Sequence, residues 1–196
     1  HKTCNFGSNP SGAFKNLRKF QKTGPLMCAE YWNGWFDHWT EKHHSRNPDD
    51  AADCLGAILK CGASVSVYMA HGGTTFGFMN GANCTDNGYQ PIVNSYDDDA
   101  PLNEYGAMTE KYYKMRDVLA SYGFVNDGIA VSQPETAAYP DVELNECADL
   151  LDNLEQISSP VDSVSPIQME KLGQGYGYVV YKTFIKGPKE KAALNM

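Results

Sequence analysis

Apolar residues recur along the first part of the chain with the periods of helices and strands. Helical spacing predicts one helix over residues 11–20 and another from Asn47 to about residue 60, where Asn47 is a suitable N-cap. A short apolar run at 26–29 ends at Glu30, and a run rich in β-branched residues predicts a strand at 63–69. This strand–helix–strand order with short connections indicates an α/β unit.

The pattern changes in the second half of the chain. Residues 72–106 are rich in Gly, Asn and Asp, as in a long loop, and loops of that length in compact domains are commonly functional. A helix is predicted over 108–122, after which prolines interrupt the chain and the clearest strand pattern lies at 175–185. We therefore predict an α/β region over 1–125, followed by a linker and the start of a β-rich domain over 126–196.

Composition narrows the classes of partner. The chain has 196 residues, with 16 Lys and Arg against 24 Asp and Glu, which gives a net charge of −8. This balance argues against nucleic-acid and anionic-membrane partners, since both require a basic surface. No apolar run is long enough for a transmembrane helix, and no signal peptide is visible. The six cysteines form no CxxC pair, and we interpret them as reduced thiols, which slightly favours a cytoplasmic location. The oligomeric state is left open.

The candidate chemistry is concentrated in one short segment. All three tryptophans, Trp32, Trp35 and Trp39, lie just after Glu30. A carboxylate at the end of a strand, followed by an aromatic loop, suits a sugar site, because pyranose rings present apolar faces to aromatic rings and hydroxyls to polar groups. Two alternatives remain: Trp35 and Trp39 would also fit the core side of a helical turn, and an isolated Glu is commonly a salt-bridged surface acid.

Three long segments carry a resemblance to a known family. They are GPLMCAEYWNGWFDHW at 24–39, ASVSVYMAHGGTTFGFMNGAN at 63–83 and NSYDDDAPLNEYGAMTEKYYKMRDVL at 94–119. In order and spacing they resemble glycoside hydrolase family 35, the β-galactosidases, over residues 3–122. The resemblance implies an α/β fold in which this chain forms the C-terminal portion of a TIM (β/α)8 barrel. It also implies a retaining β-galactosidase that forms a covalent galactosyl-enzyme intermediate.

The same resemblance assigns roles to individual residues. Glu30 matches the nucleophile at the end of the seventh barrel strand, and Tyr68 matches a tyrosine of the galactose subsite. Tyr31 and Trp35 are expected to contact the substrate from the aromatic loop. Asp98 is expected there too, although it stands where many members of the family have a tyrosine, and a carboxylate cannot stack on a sugar ring.

The partner carboxylate of the nucleophile is expected to lie outside this chain. In the family the acid/base residue precedes the nucleophile by a long stretch, and only 29 residues precede Glu30. Glu104, in the similar sequence Asn103-Glu104-Tyr105-Gly106, follows Glu30 and no apolar strand leads into it, so we reject it for this role. We therefore expect a fragment of a longer protein, inactive by itself, with a non-catalytic galactoside-binding homologue as the alternative.

No cofactor or metal is expected, and the expected partner is a galactoside. Adjacent acids such as Asp97–Asp99 rarely converge on one ion outside a dedicated loop, and their other interpretation is a solvated loop. The pair His43-His44 lacks a third ligand at useful spacing. His71 is expected to have a structural or subsite role. Cys28 lies in the strand before Glu30 and is interpreted as a packing residue.

Overall fold

The computed structural model describes residues 1–86, 88–124, 128 and 130–193, and the chain is mixed α/β. By contacts it divides into two compact units, His1–Glu135 and Thr136–Met196. Its elements, in chain order, are β1 (Cys4–Phe6), α1 (Pro10–Phe20), β2 (Leu26–Trp32), α2 (Pro48–Lys60), β3 (Ala63–Tyr68), β4 (Ala82–Thr85), β5 (Gly88–Pro91), α3 (Glu110–Ser121), α4 (Leu154–Ile157) and a 3-10 turn (Met169–Leu172).

Strands β1, β2 and β3 form a parallel sheet in that order, with helices α1 and α2 as the connections. Helix α2 begins as the sequence predicts, with Asn47 as N-cap followed by Pro48, and α1 has the same kind of start, Asn9 followed by Pro10, which was not predicted. Asn9 accepts a hydrogen bond from the Gly12 N–H, and Asn47 accepts from the N–H groups of Asp49 and Asp50. These caps satisfy N–H groups that have no partner inside the helix.

The core lies between the sheet and the helices. Side chains from β1 to β3 meet apolar side chains of α1 and α2 and Met115 of α3. This leaves the other side of β2 free to carry polar groups. The core members are Phe6, Phe14, Leu17, Cys28, Tyr31, Ala52, Cys54, Leu55, Ile58, Ala63 and Met115.

Two expectations about the elements are corrected. The strand that was expected to end at Glu30 continues to Trp32, so Glu30 lies inside β2. The long loop at 72–106 contains an antiparallel hairpin, β4–β5. The hairpin packs back on the aromatic loop, where the Trp39 N–H donates to the Pro91 carbonyl at 2.9 Å.

The second unit differs from the β-rich expectation. Residues 130–193 contain no strand in the structure, and the strand pattern at 175–185 forms a bend and irregular chain. No residue from 136 to 193 is buried. A strand needs a neighbour for its backbone hydrogen bonds, and none lies beside this segment among the described residues. Among those residues, no helix combines the length and apolar character that a membrane crossing needs.

Candidate active site

Strand β2 presents neighbouring side chains to opposite sides of the sheet. Residues 28–31 of β2 pair with 65–67 of β3, so β2 contains one extra residue, a β-bulge. Bulges redirect side chains and are frequent beside active sites. After the bulge, Glu30 and Trp32 point to one side, while Tyr31 points into the core.

The structure therefore places Tyr31 away from any substrate, which corrects the expectation that it lines the sugar site. Its side chain is fully buried, and its hydroxyl donates to the Ala51 carbonyl of α2 at 2.6 Å. Burial raises the pKa of the Tyr31 phenol strongly. Side chains two apart along a strand share a face, and this parity was the signal in the sequence that favoured Trp32 over Tyr31.

Glu30 and Trp32 face a pocket of about 190 Å³ at the carboxyl ends of β2 and β3. In α/β structures this edge of the sheet is where ligands bind. Four of the five expected site residues meet in the pocket, and four other residues join them. The lining residues are Glu30, Trp32, Gly34, Trp35, Phe36, Tyr68, Tyr96 and Asp98.

The Glu30 carboxylate is held by its neighbour. Trp32 Nε1 donates to Glu30 Oε2 at 3.0 Å, which fixes one oxygen and leaves the other for chemistry. Across the sheet, Tyr68 pairs with Trp32, and so it also enters the pocket. Cys28 packs in the core, where burial raises the pKa of its thiol to about 11, so the reactive thiolate is disfavoured.

An aromatic wall forms one side of the pocket. Trp32 meets Trp35 edge to face at 5.6 Å, and Trp35 stacks on Phe36 at 5.0 Å. Phe36 stacks in turn on Tyr96, with ring centroids 5.9 Å apart and planes inclined by 13°. Trp39 does not line this pocket and is 62% exposed. An aromatic wall of this kind suits the apolar face of a pyranose.

Tyr96 was not predicted as a site residue. It lies two positions before Asp98, and only its place in the third family-like segment pointed to it. Burial raises the pKa of Tyr96 strongly, and a hydrogen bond with Tyr68 and the negative charges of Asp98 and Glu30 raise it further. The Tyr96 phenol therefore stays neutral near pH 7.

Asp98 is an almost fully buried carboxylate, 4% exposed. Its Oδ2 accepts the Met69 N–H at 3.1 Å, just beyond the cis Tyr68–Met69 peptide bond. Burial raises the pKa of Asp98 to about 6, although the Met69 N–H and the Lys111 charge oppose the shift. Asp98 therefore changes its charge in the physiological range.

Two glycines allow the loops around the pocket to approach each other. A Cβ on Gly34 would lie 1.7 Å from the Asp98 carbonyl oxygen, and a Cβ on Gly72 would lie 1.7 Å from that of Tyr96. No side chain fits at either distance, so glycine is required at both positions. These contacts bring the 96–99 segment against the aromatic loop at Gly34 and against the segment after β3 at Gly72.

Comparison with known proteins agrees with this geometry. The family model described as Glycosyl hydrolases family 35 matches residues 1–122. The chain belongs to glycosyl hydrolase family 35. Relatives named beta-galactosidase are 39% identical in Bos taurus and 42% identical in Xanthomonas manihotis, each over 91% of this chain. A human protein named beta-galactosidase-1-like protein 3 is 40% identical over 88% of this chain.

This family 35 chain spans 27–30% of the length of those three relatives. Its other candidate acids are engaged elsewhere. Glu104 does not line the pocket; its carboxylate accepts hydrogen bonds from Thr74 Oγ1 at 2.5 Å and Ser95 Oγ at 2.6 Å. These bonds lower the pKa of Glu104, which is the wrong direction for a general acid. His71 is not one of the residues that line the pocket. Its Nε2 lies 3.1 Å from the Glu104 carbonyl oxygen.

The histidine pair is part of a hydrogen-bonded loop. His43 Nδ1 lies 2.6 Å from Asp37 Oδ2, and His44 Nδ1 lies 2.7 Å from Asp37 Oδ1. These contacts raise the pKa of His43 and lower that of Asp37. Within the described residues, no group of three or more His, Cys, Asp or Glu side chains is arranged to hold a metal ion.

Proposed function

We propose that this chain supplies the nucleophile and part of the galactose subsite of a retaining β-galactosidase. The observation that carries the proposal is the Glu30 carboxylate, anchored by Trp32 and facing a pocket with an aromatic wall. Relatives that bear the name beta-galactosidase support the choice of sugar. The parallel strands β1–β3 would be the last strands of a (β/α)8 barrel, with the site at their carboxyl ends.

In this mechanism Glu30 attacks the anomeric carbon while the leaving oxygen takes a proton from a second carboxyl group. The product is a galactosyl ester of Glu30, which water then hydrolyses with the second carboxylate as base. Retaining enzymes place the two carboxyl groups about 5–5.5 Å apart. The position of Glu104 outside the pocket and its lowered pKa argue against this role, and we propose that the acid/base lies outside these 196 residues.

The remaining pocket residues divide into two groups. Trp35 would stack on the apolar face of galactose, and Tyr68 would donate a hydrogen bond to a sugar hydroxyl or to Glu30. Asp98 would accept from a hydroxyl with the oxygen that Met69 leaves free. We also propose, as the family resemblance implies, that residues 126–196 begin a following β-rich domain.

The test is mechanism-based labelling of the full-length protein. A 2-deoxy-2-fluoro-galactoside with a good leaving group should form a stable ester on the peptide that contains Glu30. Glu30→Gln should abolish both turnover of a chromogenic β-galactoside and labelling. The matched control is Glu41→Gln, since Glu41 lies on the same loop but contacts His38 outside the pocket. A label on another residue would overturn the assignment of the nucleophile.

Experiments on the same full-length protein distinguish a galactosidase from a non-catalytic galactoside-binding homologue. A non-catalytic homologue would bind galactose, seen as a change in tryptophan fluorescence from the aromatic wall, without turnover or labelling. The 196-residue chain alone should show no turnover, because we propose that the acid/base that protonates the leaving group lies outside it. Measurable galactosidase activity from the purified chain would contradict this part of the proposal.

A further inference from the structure

Lys111 is a buried cation behind the candidate active site. It lies in the first turn of α3 and is 2% exposed, yet it does not line the pocket. Its ammonium group donates to the Asn33 carbonyl at 3.0 Å, to the Asp99 carbonyl at 2.5 Å and to Asp99 Oδ2 at 2.5 Å. All three donors of the ammonium group are therefore used.

A buried lysine is costly unless its charge is compensated. Lys111 is compensated by one carboxylate and two carbonyl oxygens, so its removal would leave Asp99 without its cation. An apolar residue would fill the same space more simply. A buried ammonium group at this position therefore indicates that Lys111 holds its hydrogen-bond partners in a particular arrangement.

The partners of Lys111 come from the two loops that build the pocket. Asn33 directly precedes Gly34 and the aromatic wall, and Asp99 directly follows Asp98. Asn33 also reaches the third loop, since its Nδ2 donates to the Met69 carbonyl at 2.9 Å. Asp99 Oδ2 receives a further hydrogen bond, from the Arg46 N–H at 2.7 Å. One ammonium group therefore ties together the chain segments after β2, after β3 and before α3.

We propose that Lys111 is a positioning residue that fixes the aromatic wall and Asp98 relative to Glu30. It acts through Asn33 and Asp99 and never touches the substrate. Gly34 and the Asp98 carbonyl are so close that a single Cβ on residue 34 would not fit between them, so a small displacement of either loop would change the pocket. This inference rests on the function proposed above, since it concerns the same pocket.

Lys111 also has an electrostatic effect that an ordinary structural residue would lack. Its charge lowers the pKa of Asp98, while burial and the negative charges of Asp97 and Asp99 raise it. Glu30 and the neutral Tyr96 face Asp98 across the pocket. Loss of the Lys111 charge should therefore raise the pKa of Asp98 above its value of about 6.

The test compares Lys111→Met with Lys114→Met in the full-length protein. Lys114 lies on the same helix but pairs with Asp49 and Glu110 on its outer side. Lys111→Met should lower kcat/KM for a chromogenic β-galactoside by about tenfold or more. It should also move the acid limb of the kcat/KM profile upward by about half a pH unit or more. Lys114→Met should stay within about twofold of wild type with an unchanged profile.

Amide hydrogen exchange gives a readout that does not depend on turnover. Lys111→Met should increase exchange in peptides that cover 31–36 and 94–100, and Lys114→Met should not. If the wild-type protein neither turns over nor labels on Glu30, the proposed function fails, while the exchange data still decide the role of Lys111. The positioning role is overturned if Lys111→Met leaves both exchange and the acid limb unchanged.

A second variant covers the case in which Lys111→Met does not fold. Asp99→Asn keeps the oxygen acceptor for Lys111 and Arg46 but removes the negative charge beside Asp98. It should increase exchange in the same two peptides and shift the acid limb downward, because one charge that raises the pKa of Asp98 is gone. No change in either measurement would overturn the proposal.

Discussion

Trp32 and Tyr31 are adjacent on β2 but face opposite sides, so a matched pair of substitutions tests the geometry of the site. Trp32→Phe keeps an aromatic ring in the wall and removes the Nε1–H that donates to Glu30 Oε2 at 3.0 Å. A hydrogen bond to a charged group contributes about 1.5–3 kcal/mol. If that anchoring is lost in the transition state, kcat/KM should fall by about ten- to 150-fold, since 1.36 kcal/mol corresponds to a factor of ten.

Tyr31→Phe should have the opposite signature. It removes a hydroxyl that donates to the Ala51 carbonyl at 2.6 Å in the core and changes nothing in the pocket. The loss of one buried hydrogen bond costs about 1 kcal/mol, or roughly 2–4 °C in the midpoint of thermal unfolding for a domain of this size. Turnover of a chromogenic β-galactoside should remain within about twofold of wild type.

The assay is kcat/KM and thermal unfolding on both variants in the full-length protein. Expected is activity loss with little change in stability for Trp32→Phe, and stability loss with little change in activity for Tyr31→Phe. If Tyr31→Phe loses activity as strongly as Trp32→Phe at unchanged stability, Tyr31 faces the substrate. In that case the bulge in β2 and the register that follows it are wrong.

Three further predictions follow from the pocket. Burial raises the pKa of Asp98 from 3.8 to about 6, so ionisation of Asp98 lowers the stability of the wild type as the pH rises through this window. Between about pH 4 and 7.5 the free energy of unfolding of Asp98→Asn, measured in urea, should rise relative to that of the wild type by of the order of 2 kcal/mol. Parallel stability curves for the two proteins would contradict this. Gly34→Ala places a Cβ 1.7 Å from the Asp98 carbonyl oxygen and should lower the free energy of unfolding by about 1–3 kcal/mol and remove most of the activity. Gly81→Ala, whose Cβ would have its nearest neighbour at 3.4 Å, should do neither. Equal effects of the two substitutions would refute the close-approach argument. Glu104→Gln should retain kcat within about fivefold, since a loss of about 100-fold or more would instead identify Glu104 as an acid/base.

Local chemistry in the sequence was sufficient to predict the three long helices and β3 of the first unit, but not β1 or the β4–β5 hairpin. Asn47 followed by Pro48 predicted the start of α2, and the structure has this cap. The β-branched run at 63–69 predicted β3, which forms at Ala63–Tyr68. These signals succeed because capping and side-chain branching act over a few residues.

The strand pattern at 175–185 forms no strand among the described residues, and the β-rich domain to which it was assigned stays a prediction. Alternation of side chains predicts which face of a strand would be buried, but it does not supply the neighbouring strand that pairs with it. In the structure Tyr181 donates a hydrogen bond to the Ile167 carbonyl, yet no described strand lies alongside. The division at residue 125 remains a prediction.

The site was predictable where it follows from a single strand and less so where it depends on packing. Glu30 and Trp35 are close in sequence, so their proximity required only a strand and a turn. Tyr96 reaches the pocket through its stacking on Phe36, sixty residues earlier, and nothing local in the sequence specifies that contact. The bulge that turns Tyr31 into the core is likewise set by pairing with β3.

Asp98 brings these features together, because the family resemblance implies that its carboxylate stands where many members carry a tyrosine. A tyrosine stays neutral near pH 6, whereas Asp98, with a pKa of about 6, changes charge there. Its carbonyl lies close to Gly34 and its Oδ2 accepts the Met69 N–H, and these contacts hold the carboxylate in the pocket with Glu30 and Tyr68. Two ionised carboxylates in one small pocket repel each other, and substrate hydroxyls donate best to the ionised form. Substrate binding and the charge of Asp98 are therefore coupled in this pocket. The affinity for a neutral galactoside should depend on pH through the ionisation of Asp98, and Asp98→Tyr should remove this pH dependence.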